Sequence, residues 1–89
     1  MVLERELTVT NREGLHFRPI MQLVEVASKF SSRVRIRCGD READARSPME
    51  LLMLVATQGC SLMVTIEGDD APAAMDALSQ LFSQGFGET

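Results

Sequence analysis

Within Gly14-Leu15-His16-Phe17-Arg18-Pro19 lies the only histidine of the 89-residue chain, followed two positions later by an arginine. Proline is accommodated in a helix only in its first turn, where the missing N–H is not needed for the ladder. A helix therefore begins within two or three residues before Pro19, with His16 at or near its N-cap and Phe17 and Arg18 in its first turn. There the imidazole sits beside unpaired backbone N–H groups, at the positive end of the helix dipole, with a guanidinium close by. Such a position favours an anion and disfavours a second cation. An imidazole with an ordinary pKa of ~6.5 keeps one nitrogen unprotonated at neutral pH. The chemistry this supports is nucleophilic acceptance of a phosphoryl group, in which positioning and charge stabilisation are the main demands. His16 and Arg18 are the candidate reacting and charge-stabilising residues, and the backbone N–H groups of Phe17 and Arg18 are the candidate phosphate donors. Gly14 supplies the turn that brings the chain into this helix.

The elements that must position these residues follow from hydrophobic periodicity. Residues 2 to about 10 alternate, with Leu3, Leu7 and Val9 on one face, Arg5 interrupting it, and Glu4, Glu6, Thr8 and Thr10 on the other, which predicts a half-buried strand. Asn11-Arg12-Glu13-Gly14 reads as the loop leaving it. From Phe17 to about Phe30, Ile20, Leu23, Val24 and Ala27 recur at helical spacing. Val34, Ile36 and Cys38 then alternate with Arg33, Arg35 and Arg37 in a second strand, whose basic stripe reads as a solvated sheet face. Gly39-Asp40 is a hairpin signal leading to a short third strand near Glu42 to Ala45. Ser47-Pro48-Met49-Glu50 has the form of a capping box. It opens an apolar helix from Met49 to about Thr57 that Gly59 ends. Met49, Leu52 and Met53 are more apolar than one buried stripe requires, so part of this helix is expected at the surface as a contact site. Leu62, Val64 and Ile66 make the fourth strand. Gly68-Asp69-Asp70 turns and caps a last helix that has Pro72 in its first turn and Ala74, Leu78, Leu81 and Phe82 on its buried side, and residues 84 to 89 read as a frayed end.

Composition narrows the function classes. The chain is 45% hydrophobic and 25% charged with a net charge of −4, ordinary for a globular chain and a poor match for nucleic acid. No apolar run is long enough to span a bilayer and no signal-peptide layout is present, so a cytoplasmic protein without membrane insertion is expected. Cys38 and Cys60 show no metal-type spacing, and neither a metal nor another cofactor is expected. Residues 1–89 are read as one domain. The element order β-α-β-β-α-β-α invites by pattern alone a split-βαβ, ferredoxin-like sheet.

Gly14-Leu15-His16-Phe17-Arg18-Pro19 closely resembles the active-site motif of the HPr family, the histidine-containing phosphocarriers of the bacterial phosphoenolpyruvate-dependent sugar phosphotransferase system. The resemblance extends over essentially the whole chain. The family motif most often has alanine where Phe17 stands. The resemblance implies an α+β fold, the HPr-like open-faced β-sandwich, with a four-stranded antiparallel sheet covered on one face by three helices. It also implies that His16 accepts a phosphoryl group on Nδ1 from Enzyme I, that Arg18 contacts the phosphate, and that the group passes to an enzyme IIA component. The protein would then be a phosphocarrier and not an enzyme, and a monomer. Phe17, Met49, Leu52 and Met53 would form the partner surface, and Ser47 would be the candidate regulatory phosphorylation site for an HPr kinase/phosphorylase. Phe17, Pro48 and Glu50 leave open a regulatory paralogue acting in nitrogen or carbon control, with little transport role. A ferredoxin-like ligand-sensing or interaction module with an incidental His16 is the alternative of a different class.

Overall fold

The computed structural model describes residues 1–88. Four strands, β1 (Val2–Thr8), β2 (Arg33–Cys38), β3 (Arg41–Asp44) and β4 (Ser61–Glu67), alternate with three helices, α1 (Phe17–Ala27), α2 (Pro48–Leu52) and α3 (Ala71–Ser83), followed by a 3-10 turn at Gly85–Gly87. The sheet order is β1-β4-β2-β3 and every pairing is antiparallel. β4 therefore lies between β1 and β2, so the β1–α1–β2 unit is split and α1 must cross over the sheet. This is the open-faced sandwich that the resemblance implies.

Period-2 alternation decides which sheet face is covered. Leu7, Val34, Ile36, Leu62, Val64 and Ile66 are buried under the helices, together with Ile20, Leu23, Leu51, Leu78 and Phe82. Arg5, which breaks the apolar pattern of β1, extends to α3 and donates from Nη1 to Ser79 Oγ at 2.8 Å. On the open face the arginine stripe meets acids across the ladder: Arg33 lies opposite Glu67, Arg35 opposite Asp44 and Arg37 opposite Glu42, and Arg35 pairs diagonally with Glu42. These neighbours make it the solvated face expected, with the modest energetics of exposed pairs.

Several boundaries differ from the periodicity, each for a local reason. α1 is capped at Ser28, whose N–H returns to the Val24 carbonyl at 2.9 Å. α2 runs only to Leu52, not to Thr57. Leu54 and Val55 form tight bonds back to Leu51 and Leu52, Val55 takes φ 51°, and the turn buries Leu54 while exposing Val55. Gly59 therefore lies in the following loop and does not end the helix. The capping box at Ser47 forms by half: Ser47 Oγ accepts from Glu50 N at 3.3 Å, whereas the Glu50 carboxylate accepts from Asp44 N at 2.9 Å.

Asp70 does not cap α3 through its side chain. Its carboxylate instead accepts from Ser31 N at 2.8 Å, Ser32 N at 2.9 Å and both serine hydroxyls. Arg46 donates to the Phe30 and Ser32 carbonyls at the same corner. The α1–β2 corner is thus bound to the start of α3. The Ser32 hydroxyl, followed by the Ser31 N–H, holds the Asp70 carboxyl down to about 2 from an ordinary 3.8. Because the folded-state value is the lower one, this stabilisation is complete above about pH 4 and disappears as pH falls through about 2. Asp70→Asn should therefore be less stable than the parent at pH 7 in urea denaturation, and the difference should close as the pH is lowered from 4 to 2. A difference independent of pH would show that the carboxylate charge plays no part.

Candidate functional site

α1 opens where the proline arithmetic places it. Its first residue is Phe17, His16 is the N-cap in extended backbone, and no side chain caps the helix. The Ile20 N–H returns to the His16 carbonyl at 3.1 Å, Arg18 precedes Pro19, and the N–H groups of Phe17 and Arg18 remain at the open end of the dipole.

The loop carrying His16 is set by contact with the loop after α2. Gly14 has φ +72°, and a Cβ on it would lie 2.6 Å from the Ala56 carbonyl oxygen and 3.0 Å from Thr57 Cα. Leu15 donates its N–H to that same carbonyl at 2.9 Å and is buried. Glycine is needed at position 14 for both its dihedral and its close approach to the backbone.

Asn11 and Glu88 complete the site, and neither stood out in the sequence. His16 Nε2 lies 2.8 and 3.0 Å from the two Glu88 carboxylate oxygens. Asn11, itself buried, donates from Nδ2 to Gly14 O at 2.7 Å and to Glu88 Oε1 at 2.8 Å, so one amide ties the loop and the carboxylate together. The reading of residues 84–89 as a frayed end is corrected for its described part. Gly85, Phe86 and Gly87 all take positive φ, forming a left-handed run that glycines on both sides of Phe86 permit. The Phe86 ring is buried edge-on against Phe82, centroids 5.0 Å apart. That anchor delivers Glu88 to the histidine. Thr89 lies outside the described residues.

A carboxylate only accepts hydrogen bonds, so Nε2 is the protonated nitrogen. In the neutral ring the lone pair then belongs to Nδ1. Arg18 is exposed and, with Arg12, Glu13, Gly87 and Glu88, lines an open groove of about 450 Å³ beside the histidine. Arg12 is a second cation that the motif does not include. The site is also less purely cationic than the sequence implies, because Glu88 adds an acid at the far edge of the imidazole.

The apolar residues named for partner contact reach the surface. Phe17 is 75% exposed, Met49 72%, Met53 68% and Leu52 55%, and Phe17, Met49 and Leu52 line one cleft with Ile20 and Pro48. Val55 and Met21 are exposed as well. Ser47 is half-buried at the α2 N-cap. Among the described residues no group of three His, Cys, Asp or Glu side chains is placed to hold a metal ion.

Known proteins that share this fold and this sequence pattern include small phosphocarrier proteins. A family model described as PTS HPr component phosphorylation site matches residues 3–84, and the chain belongs to the HPr family of phosphocarrier proteins. It is 46% identical over 87 residues to a phosphocarrier protein HPr of Xylella fastidiosa strain Temecula1, covering 98% of each chain. It is 38% identical over 86 residues to a phosphocarrier protein NPr of Shewanella violacea, covering 97% of this chain and 94% of that one. The crystal structure of HPr-C-His from Thermoanaerobacter tengcongensis superposes with a TM-score of 0.93 at 36% identity, over 98% of each chain.

Gly14→Ala should cost about 2–4 kcal/mol from left-handed strain and overpacking, read as a lower urea midpoint. In the neutral ring, His16 should be the Nε2–H tautomer, and Glu88→Ala should move its imidazole 15N shifts towards a mixture of tautomers. A ring that is Nδ1–H in the parent protein would remove the role assigned to Glu88.

Proposed function

We propose that this protein carries a phosphoryl group on His16 Nδ1, taken from Enzyme I with phosphoenolpyruvate as the original donor and passed to an enzyme IIA component of a sugar phosphotransferase system. The observation that carries the proposal is the hydrogen bond between His16 Nε2 and the Glu88 carboxylate. It leaves Nδ1 as the nucleophile of a ring at the open N-terminus of α1. In the transfer, Nδ1 forms the bond to phosphorus as the bond to the donor breaks, and the return step reverses this on the acceptor. Arg18 and the N–H groups of Phe17 and Arg18 stabilise the added negative charge. The Nε2–H bond to Glu88 offsets the positive charge that develops on the ring. The exposed Phe17–Met49–Leu52–Met53 surface supports docking by partners, since it adjoins the histidine and is apolar. Ser47 belongs to this reading as a regulatory site for an HPr kinase/phosphorylase. Its partly exposed hydroxyl supports that role, while Glu50 in the same turn opposes an added phosphate.

A regulatory paralogue, with its phosphorylation state acting in nitrogen or carbon control, is favoured by Phe17 in place of the usual alanine and by the likeness to an NPr protein. The two readings differ in the acceptor and not in the chemistry at His16.

Incubation with phosphoenolpyruvate and Enzyme I from the same genome should add about 80 Da, the mass of one phosphoryl group, in an acid-labile form that His16→Ala abolishes. Subsequent loss of that mass to a sugar-specific IIA component supports the transport reading, and loss only to a regulatory IIA-type protein supports the paralogue. No gain of mass, with activity retained by His16→Ala, would leave an interaction module in which His16 is incidental.

A further inference from the structure

Cys38 ends β2 and Cys60 immediately precedes β4. The last pair of the β2–β4 ladder is Arg37 with Met63, so Cys38 continues opposite Leu62, and Cys60 is its diagonal neighbour on the same sheet face. Both side chains are half-buried at the rim of the core, and their sulfurs are 3.0 Å apart. Core packing alone does not require two thiols to meet. The backbone around Cys60 is held in place: Val9 N donates to Cys60 O at 2.9 Å, Gly59 N to Val9 O at 2.7 Å, and Cys60 N to Thr57 O at 3.0 Å. Two fixed sulfurs in contact, at a rim that a small molecule can reach, are arranged for reaction with each other.

We propose that Cys38 and Cys60 form a redox-active dithiol that a hydroperoxide converts to an intramolecular disulfide and a dithiol reductant restores. The hydrogen bond between the two sulfurs, and then burial, push the Cys60 thiol up to about 11, while the 3.0 Å contact lets whichever sulfur meets the peroxide first be resolved by the other. With Cys38 as the first sulfur to react, its proton goes to solvent and the sulfur attacks one peroxide oxygen; the scheme is the same with the two cysteines exchanged. The O–O bond breaks, hydroxide leaves, and Cys38 becomes a sulfenic acid. Cys60 sulfur then attacks the Cys38 sulfur, and the departing hydroxide takes the Cys60 proton as water. Two thiols are oxidised by two electrons in total, and one hydrogen peroxide is reduced to two waters.

The bond would join the β2–β3 hairpin to the loop of residues 55–60, whose Ala56 carbonyl and Thr57 backbone support Gly14 and Leu15 beneath His16. The site is independent of the phosphoryl-transfer reading, because neither cysteine belongs to that site.

The test is treatment of the reduced, folded 89-residue chain with a small excess of hydrogen peroxide, followed by intact mass and peptide mapping. The expected result is a loss of about 2 Da, the two thiol hydrogens, with a Cys38–Cys60 crosslinked peptide, a Tm raised by roughly 10 °C, and full reversal by dithiothreitol. Cys60→Ser and Cys38→Ser should each instead leave a single sulfenic acid that dimedone traps, with no crosslinked peptide. A folded protein that stays reduced, gives only intermolecular dimers, or proceeds to sulfinic acid without the crosslink would overturn the proposal.

Discussion

Gly14 lies so close to the Ala56 carbonyl that no side chain fits between them, and the geometry of the histidine site depends on this contact. The Ala56 oxygen also takes the Leu15 N–H, so one peptide group fixes the two residues before His16. The loop that supplies it is in turn held to the end of β1 by Gly59 and Cys60, and β4 follows directly, paired on both sides. The start of α1 is therefore seated on the most thoroughly hydrogen-bonded strand of the sheet. A histidine at the open end of a helix is of little chemical use if the helix start frays. Here the fray is suppressed by backbone contacts to a distant segment.

The second feature of the site is the division of labour between the edges of one imidazole. Nε2 faces the Glu88 carboxylate, and the other nitrogen is left without that proton. Asn11 binds both Glu88 and Gly14, so the orientation of the ring and the shape of its loop are one hydrogen-bonded unit. Arg12 and Arg18 bring cationic donors to the groove beside it. That groove carries both signs, because Glu13 and Glu88 line it beside the two arginines.

Next to this polar site lies an apolar surface built from the start of α1 and the short α2. The brevity of α2 follows from the way its chain turns at Val55, which buries Leu54 and leaves Met49, Leu52 and Met53 facing solvent. Methionines and a phenylalanine at an exposed rim form an adaptable apolar surface.

Much of this was legible locally. Pro19 located the start of α1, Gly39-Asp40 the hairpin, Ser47-Pro48 the start of α2, and alternation in β1, β2 and β4 assigned the buried face, because each of these signals acts within a few residues. The motif around His16 singled out the candidate nucleophile for the same reason. Three things required the fold. The insertion of β4 between β1 and β2 is a choice among antiparallel pairings that periodicity does not distinguish. Asp70 left its own helix to bind Ser31 and Ser32, and Glu50 left Ser47 to bind Asp44, since a carboxylate takes whichever donors the tertiary structure presents. The chain near its C-terminus carries no helical or strand period, and only the pocket against Phe82 anchors Phe86 and brings Glu88 to a histidine 72 residues away. The sequence by itself determined which residues begin helices, which face of β1, β2 and β4 is apolar, and which side chain is the candidate nucleophile. The tertiary structure alone decided which nitrogen of that side chain keeps its lone pair, because the group holding the other nitrogen arrives from the far end of the chain.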